Sequence, residues 1–70
     1  MRIGNWKLIE KATEREVELG EVIIDFRGLT GPLEDATPPR FEGSSGRVRS
    51  EGAEYYPSVY GLAWVKEEQG

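Results

Sequence analysis

Cysteine and histidine are both absent from this chain of 70 residues. Without cysteine there is no disulfide, no zinc–thiolate site and no thiol nucleophile. Without histidine the commonest general base and the commonest metal ligand are lost together. Long apolar runs are missing too: none approaches the ~18 residues of a membrane span, and no apolar signal-peptide core follows Met1. The expected setting is a reducing cytoplasm, with no membrane contact. Basic residues are the minority. Nine Lys and Arg face thirteen Asp and Glu, for a net charge of −4. The pI is near 4.8, which disfavours non-specific binding of nucleic acid by the surface as a whole.

Turn-forming residues are abundant. Nine glycines and four prolines punctuate the chain, three of the prolines between Pro32 and Pro39. Punctuation this dense points to short strands and turns. Glu21–Arg27 is the clearest strand, with Val22, Ile24 and Phe26 expected inward and Ile23 as an apolar exception on the outer face. Gly28–Gly31 reads as a turn, and a second strand begins at Leu33 and stops before Pro38. A third strand spans Gly46–Glu51 with Val48 inward, and Glu51-Gly52-Ala53 turns it back. Tyr55–Tyr60 is expected to return as a strand interrupted by Pro57, and Leu62–Val65 to close the sheet. Residues 6–19 fit two patterns. Asn5 could cap a helix ending at Gly20. A hairpin with Trp6 and Leu8 in one arm and Val17 and Leu19 in the other fits the alternation better.

The expected fold is all-β: a small antiparallel SH3-like open barrel of five or six short strands, with a helical N-terminal segment as the alternative for residues 6–19. Residues 1–66 form a single domain and residues 67–70 a disordered tail. The expected core is Trp6, Leu8, Val17, Leu19, Val22, Ile24, Phe26, Leu33, Val48, Tyr56, Val59, Leu62 and Trp64.

Charge is unevenly spread. Residues 1–39 carry a net −3 and residues 51–70 another −3, whereas residues 40–50 carry +2, from Arg40, Arg47 and Arg49 against Glu42. This positive island lies in a Gly/Ser loop opened by Pro38-Pro39 and followed by an aromatic cluster. Four pieces of the chain recur together in a known pattern: Phe26-Arg27-Gly28, Ala36-Thr37-Pro38-Pro39, Ser44-Ser45-Gly46-Arg47-Val48 and Tyr56-Pro57-Ser58-Val59-Tyr60-Gly61-Leu62. In this order they resemble a group of small uncharacterised proteins encoded by bacteriophages and prophages, notably of actinobacteria. The resemblance spans about residues 20–65. It implies a phage setting, hence a bacterial host cytoplasm, and implies no activity.

Catalysis has little to work with. Glu34 and Asp35 are adjacent, so a strand would turn them to opposite faces. Ser44-Ser45-Gly46 has no visible base. Glu14, Glu16 and Glu18 alternate and could face a hard cation together, though a solvated strand face explains them as well. GSSGR is glycine-rich but lacks the P-loop pattern. No enzyme activity, metal or cofactor is therefore expected. Arg, Tyr and Trp are the residue types of protein-interface hot spots. The expected function is non-catalytic recognition of a protein partner by a monomer, through Arg40, Phe41, Arg47, Arg49, Tyr55 and Tyr60. The alternative is nucleic-acid binding on the same surface, with arginines on phosphates and aromatics under bases.

Overall fold

A computed structural model describes residues 1–41 and 43–67 of the chain. Within them lie β1 (Arg2–Ile3), β2 (Trp6–Glu10), β3 (Val22–Ile24), β4 (Thr30–Pro32), β5 (Asp35–Thr37), β6 (Arg47–Ser50), β7 (Ala53–Tyr55), a 3₁₀ turn (Pro57–Tyr60) and β8 (Leu62–Lys66). The fold is all-β. The described strands form three small antiparallel sheets, ordered β1-β2-β8, β3-β4 and β5-β6-β7. Eight short strands thus replace the five or six expected, and the sheets do not join into a closed barrel. No α-helix occurs among the described residues, and none there is long and apolar enough to cross a membrane.

Residues 6–19 double back as a hairpin would, but only one arm is a regular strand. The Glu10 N–H donates to the Arg15 carbonyl at 2.8 Å and the Val17 N–H to the Leu8 carbonyl at 3.0 Å. Ile9 bridges Glu16. Val17 is buried, whereas Leu19 is left exposed. The chain departs at Gly20, whose N–H reaches the Leu33 carbonyl at 2.8 Å to open the β3–β4 pair.

The largest correction concerns β3. Ile23 is buried with 5% exposure, while Val22 (72%), Ile24 (55%) and Phe26 (80%) face solvent. The strand is inverted relative to its apolar alternation. The cause lies at its end: the carboxylate of buried Asp25 accepts the backbone N–H groups of Arg27 (2.9 Å) and Leu29 (3.0 Å) and the Arg27 guanidinium (2.9 Å). The tight turn needs this acceptor on its inner side. Side chains alternate with period two, so turning Asp25 inward takes Ile23 with it and expels Val22 and Ile24.

The β6–β7 hairpin turns on two residues, Glu51 and Gly52, with φ of 53° and 74°. Two successive left-handed residues make the turn that matches strand twist. The expected strand through Tyr60 ends earlier, at Tyr55. Pro57 cannot donate to a ladder and instead opens the 3₁₀ turn. Buried Leu8, Val17, Ile23, Leu33, Ala36, Val48, Leu62 and Trp64 form the core, with Met1, Trp6 and Tyr60 packed against it. Tyr56, expected there, is exposed, and Val59 is half-buried. Glu67 is held by an N–H bond to the Asn5 carbonyl (2.7 Å) and an ion pair with Arg2 (2.6 Å). The tail expected from residue 67 otherwise lies at residues 68–70, outside the described residues.

Candidate binding site

The loop between β5 and β6 is anchored at both ends. Pro39 and Gly46 are buried. Gly46 has a φ of +73°, and a Cβ there would lie 2.6 Å from both the Thr37 carbonyl oxygen and Trp64 Cδ1. Only glycine lets the loop close over the indole. Within the loop the Ser44 N–H donates to the Phe41 carbonyl at 3.2 Å and the Gly46 N–H to Ser44 Oγ at 3.3 Å. The buried Trp64 Nε1–H beneath it finds no hydrogen-bond partner among the described residues.

This loop and the outer face of β6–β7 enclose an open cleft of about 520 Å³. Arg40 and Phe41 line it from the loop, and Arg47, Glu54 and Tyr56 from the hairpin. The register Val48↔Tyr55 places Arg47 directly across from Tyr56. The Arg47 guanidinium carbon lies 4.2 Å from the Tyr56 ring centroid, a cation–π stack. Glu54 stands 3.9 Å from Arg47. Phe41 is 71% exposed. The cleft thus joins a stacked, planar cation to apolar aromatic surface.

Of the residues expected at the site, Arg40, Phe41 and Arg47 converge on this cleft. Arg49 shares the face of Arg47 but lies outside the lining. Tyr55 and Tyr60 point elsewhere. Their rings meet edge to face with centroids 6.2 Å apart. Tyr60 borders a smaller hollow of about 110 Å³ with Asp25, Arg27 and Ser50. Burial pushes its phenol pKa up, with Tyr55 and Asp25 adding to the shift. The residue missed by sequence reasoning is Tyr56, assigned to the core. Its signal was present: a two-residue turn at Glu51–Gly52 pairs Arg47 with Tyr56.

Glu14 does not join Glu16 and Glu18 on one face. Glu14 sits in a turn with φ of 60°. Glu16 and Glu18 turn to the Met1 ammonium, at 2.8 and 3.1 Å. Among the described residues no group of three or more carboxylates is placed to hold a metal ion. Hydrogen bonds from the Met1 ammonium and then from Arg2 hold the Glu16 pKa down at about 2. For Asp25, burial is the largest effect and raises the pKa. The N–H of Leu29, the Arg27 guanidinium and the N–H of Arg27 outweigh it together, leaving the carboxyl below its usual range. No protein-family model, curated protein or solved structure matches this chain.

Proposed function

We propose that this protein is a non-catalytic binding module whose β5–β6 cleft takes a segment of a protein partner. The observation that carries the reading is the Arg47–Tyr56 stack, 4.2 Å from guanidinium to ring, facing exposed Phe41 across the cleft. Stacking holds the guanidinium plane in place while its edge keeps donors for a carboxylate. The aromatic rings supply rigid apolar area at little entropic cost. Acidic segments carrying an aromatic or apolar side chain suit this chemistry. The element order supports reading the three sheets as the walls of an SH3-like open barrel. The resemblance to phage-encoded proteins supports a bacterial host as the place where the partner is met.

Panning a random-peptide library against the protein tests the reading. Enriched peptides should be acidic, and Arg47→Glu and Phe41→Ala should each abolish their binding while leaving the melting temperature unchanged. If no peptide is enriched, or the variants bind as well as the parent, the proposal fails. A gel shift with single-stranded oligonucleotides at low salt separates the other ligand class. Retardation that fades steeply with salt and is lost in Arg47→Glu would assign the cleft to nucleic acid instead.

A further inference from the structure

One buried donor is left without an acceptor. Trp64 stands mid-strand in β8, opposite Leu8, with 8% of its surface exposed. Its Nε1–H has no hydrogen-bond partner among the described residues. A buried indole N–H ordinarily finds one, and an all-carbon ring would fill the core without leaving a donor unmet. What lies over the indole is Gly46, so close that a Cβ there would fall 2.8 Å from Nε1. Gly46 also lines the β5–β6 cleft, together with Arg40, Ser44, Ser45 and Arg47. The unmet donor is thus separated by a glycine backbone from the cleft that the arginines line. The cover is light. Gly43 and Gly46 flank Ser44-Ser45 with φ of 91° and 73°, and glycines at both ends can absorb the rotation that moves the serines aside. The loop's own hydrogen bonds, from the Ser44 N–H to the Phe41 carbonyl and from the Gly46 N–H to Ser44 Oγ, are long at 3.2 and 3.3 Å.

We infer that Trp64 is a ligand-binding residue of the cleft: the Gly43–Gly46 loop shifts, and the indole N–H donates to a carboxylate oxygen of the bound segment. This rests on the proposed reading of the cleft and adds the group that recognises the acid. An indole N–H only donates, so its partner must be an acceptor. A carboxylate offers two oxygens, enough for a guanidinium edge on one side and an N–H on the other. The acid of the segment then lies at the Gly46 end of the cleft, and Phe41 is left to meet its apolar side chain.

The test removes the N–H and keeps the ring. In a Trp6→Phe background, Trp64 is replaced by benzothienylalanine, whose sulfur stands where the N–H was. The probe is the acidic peptide most enriched by the panning above. Its Kd should rise about tenfold, as for the loss of one hydrogen bond to a charged acceptor. The melting temperature should stay level or rise, since a buried unmet donor has been removed. The rise in Kd should vanish for the peptide in which the paired Asp or Glu is replaced by Ala. Equal Kd for the two proteins overturns the inference; if Arg47→Glu still abolishes binding, the cleft reading survives it. Should no peptide be enriched, both fall together. A clear loss of stability on removing the N–H also overturns the inference, because the donor would then have an acceptor within the fold, such as the nearby Thr37 carbonyl. A second readout leaves residue 64 unchanged. In the nitrogen-15-labelled parent, the Trp64 indole N–H signal is told from that of Trp6 by the Trp6→Phe spectrum. It should move downfield on saturation with the peptide, and a signal that stays in place overturns the inference.

Discussion

Truncating neighbouring isoleucines on β3 decides which way the strand faces. Ile23 retains 5% of its surface and packs in the core, whereas Ile24 retains 55%. Ile23→Ala should cost about 2–5 kcal/mol, the transfer term of the lost methyl groups plus the cavity they leave. A domain of this size holds a total stability of about 4–10 kcal/mol. The variant would therefore sit near the edge of folding. Each kcal/mol lowers the melting temperature of so small a domain by about 4–8 °C. Ile24→Ala removes the same atoms from solvent-facing positions and should stay within about 0.5 kcal/mol, as surface changes do. Urea unfolding followed by tryptophan fluorescence reads both variants, with Trp64 as a buried reporter. The reasoning is refuted if Ile24→Ala costs as much as Ile23→Ala or more. That result would restore the inward set of Val22, Ile24 and Phe26.

Gly46→Ala should destabilise through two effects: about 1–2 kcal/mol for a left-handed alanine and about 1–3 kcal/mol for crowding the Thr37 carbonyl and Trp64. Urea denaturation measures it, and a loss under about 1 kcal/mol would show that the loop relaxes instead. Glu16 has a folded pKa of about 2 against an ordinary 4.5. A depressed carboxylate stabilises fully above the unfolded value and loses that contribution as pH falls toward the folded one. Glu16→Gln should therefore melt below the parent at neutral pH, with the gap closing between pH 4.5 and about 2; a gap that is constant with pH refutes the ion pair. Asp25→Ala strips the acceptor from the N–H groups of Arg27 and Leu29 and should lower the melting temperature well below that of Asp25→Asn, which keeps one carbonyl oxygen. Equal melting of the two variants would show that charge, not the turn's hydrogen bonds, is what Asp25 supplies.

Much of the β class was legible, because it rests on local punctuation. The Glu51-Gly52 turn, the strand around Val48 and the closing strand at Leu62 all follow from glycine placement and apolar alternation. The direction of β3 was not legible from alternation, since Val22, Ile24 and Phe26 outnumber Ile23. It is set by Asp25, and only the turn's hydrogen bonds reveal that its carboxylate must face inward. Tyr56 was assigned to the core for a related reason. Reading the turn as three residues, through Ala53, leaves the register of β7 open. Reading it as two places Tyr55 on the side of Val48 and Tyr56 across from Arg47. The arginine island pointed to the region of the cleft, which Arg40 and Arg47 both line, but charge density has no side. Arg49 lies two residues along the same strand face and falls outside the lining.

Several large apolar side chains stay out of the core. Burying a Val, Ile or Phe side chain gains about 1.5–3 kcal/mol. Val22, Ile24, Phe26 and Phe41 all leave that gain unused, each at least 55% exposed. Together they forgo an amount comparable to the whole ~4–10 kcal/mol stability of such a domain. With eight side chains in the core cluster among the described residues, the domain has little stability to spare for that loss. Isolated exposed apolar residues are ordinary on any protein. Here Val22 and Ile24 stand on the outer face of β3, the Phe26 ring carries the Arg27 guanidinium at 5.7 Å, and Phe41 lines the cleft that holds the Arg47–Tyr56 stack. Burial deferred from folding remains available to association. The arginine-lined cleft would draw in an acidic segment that the rest of the surface repels.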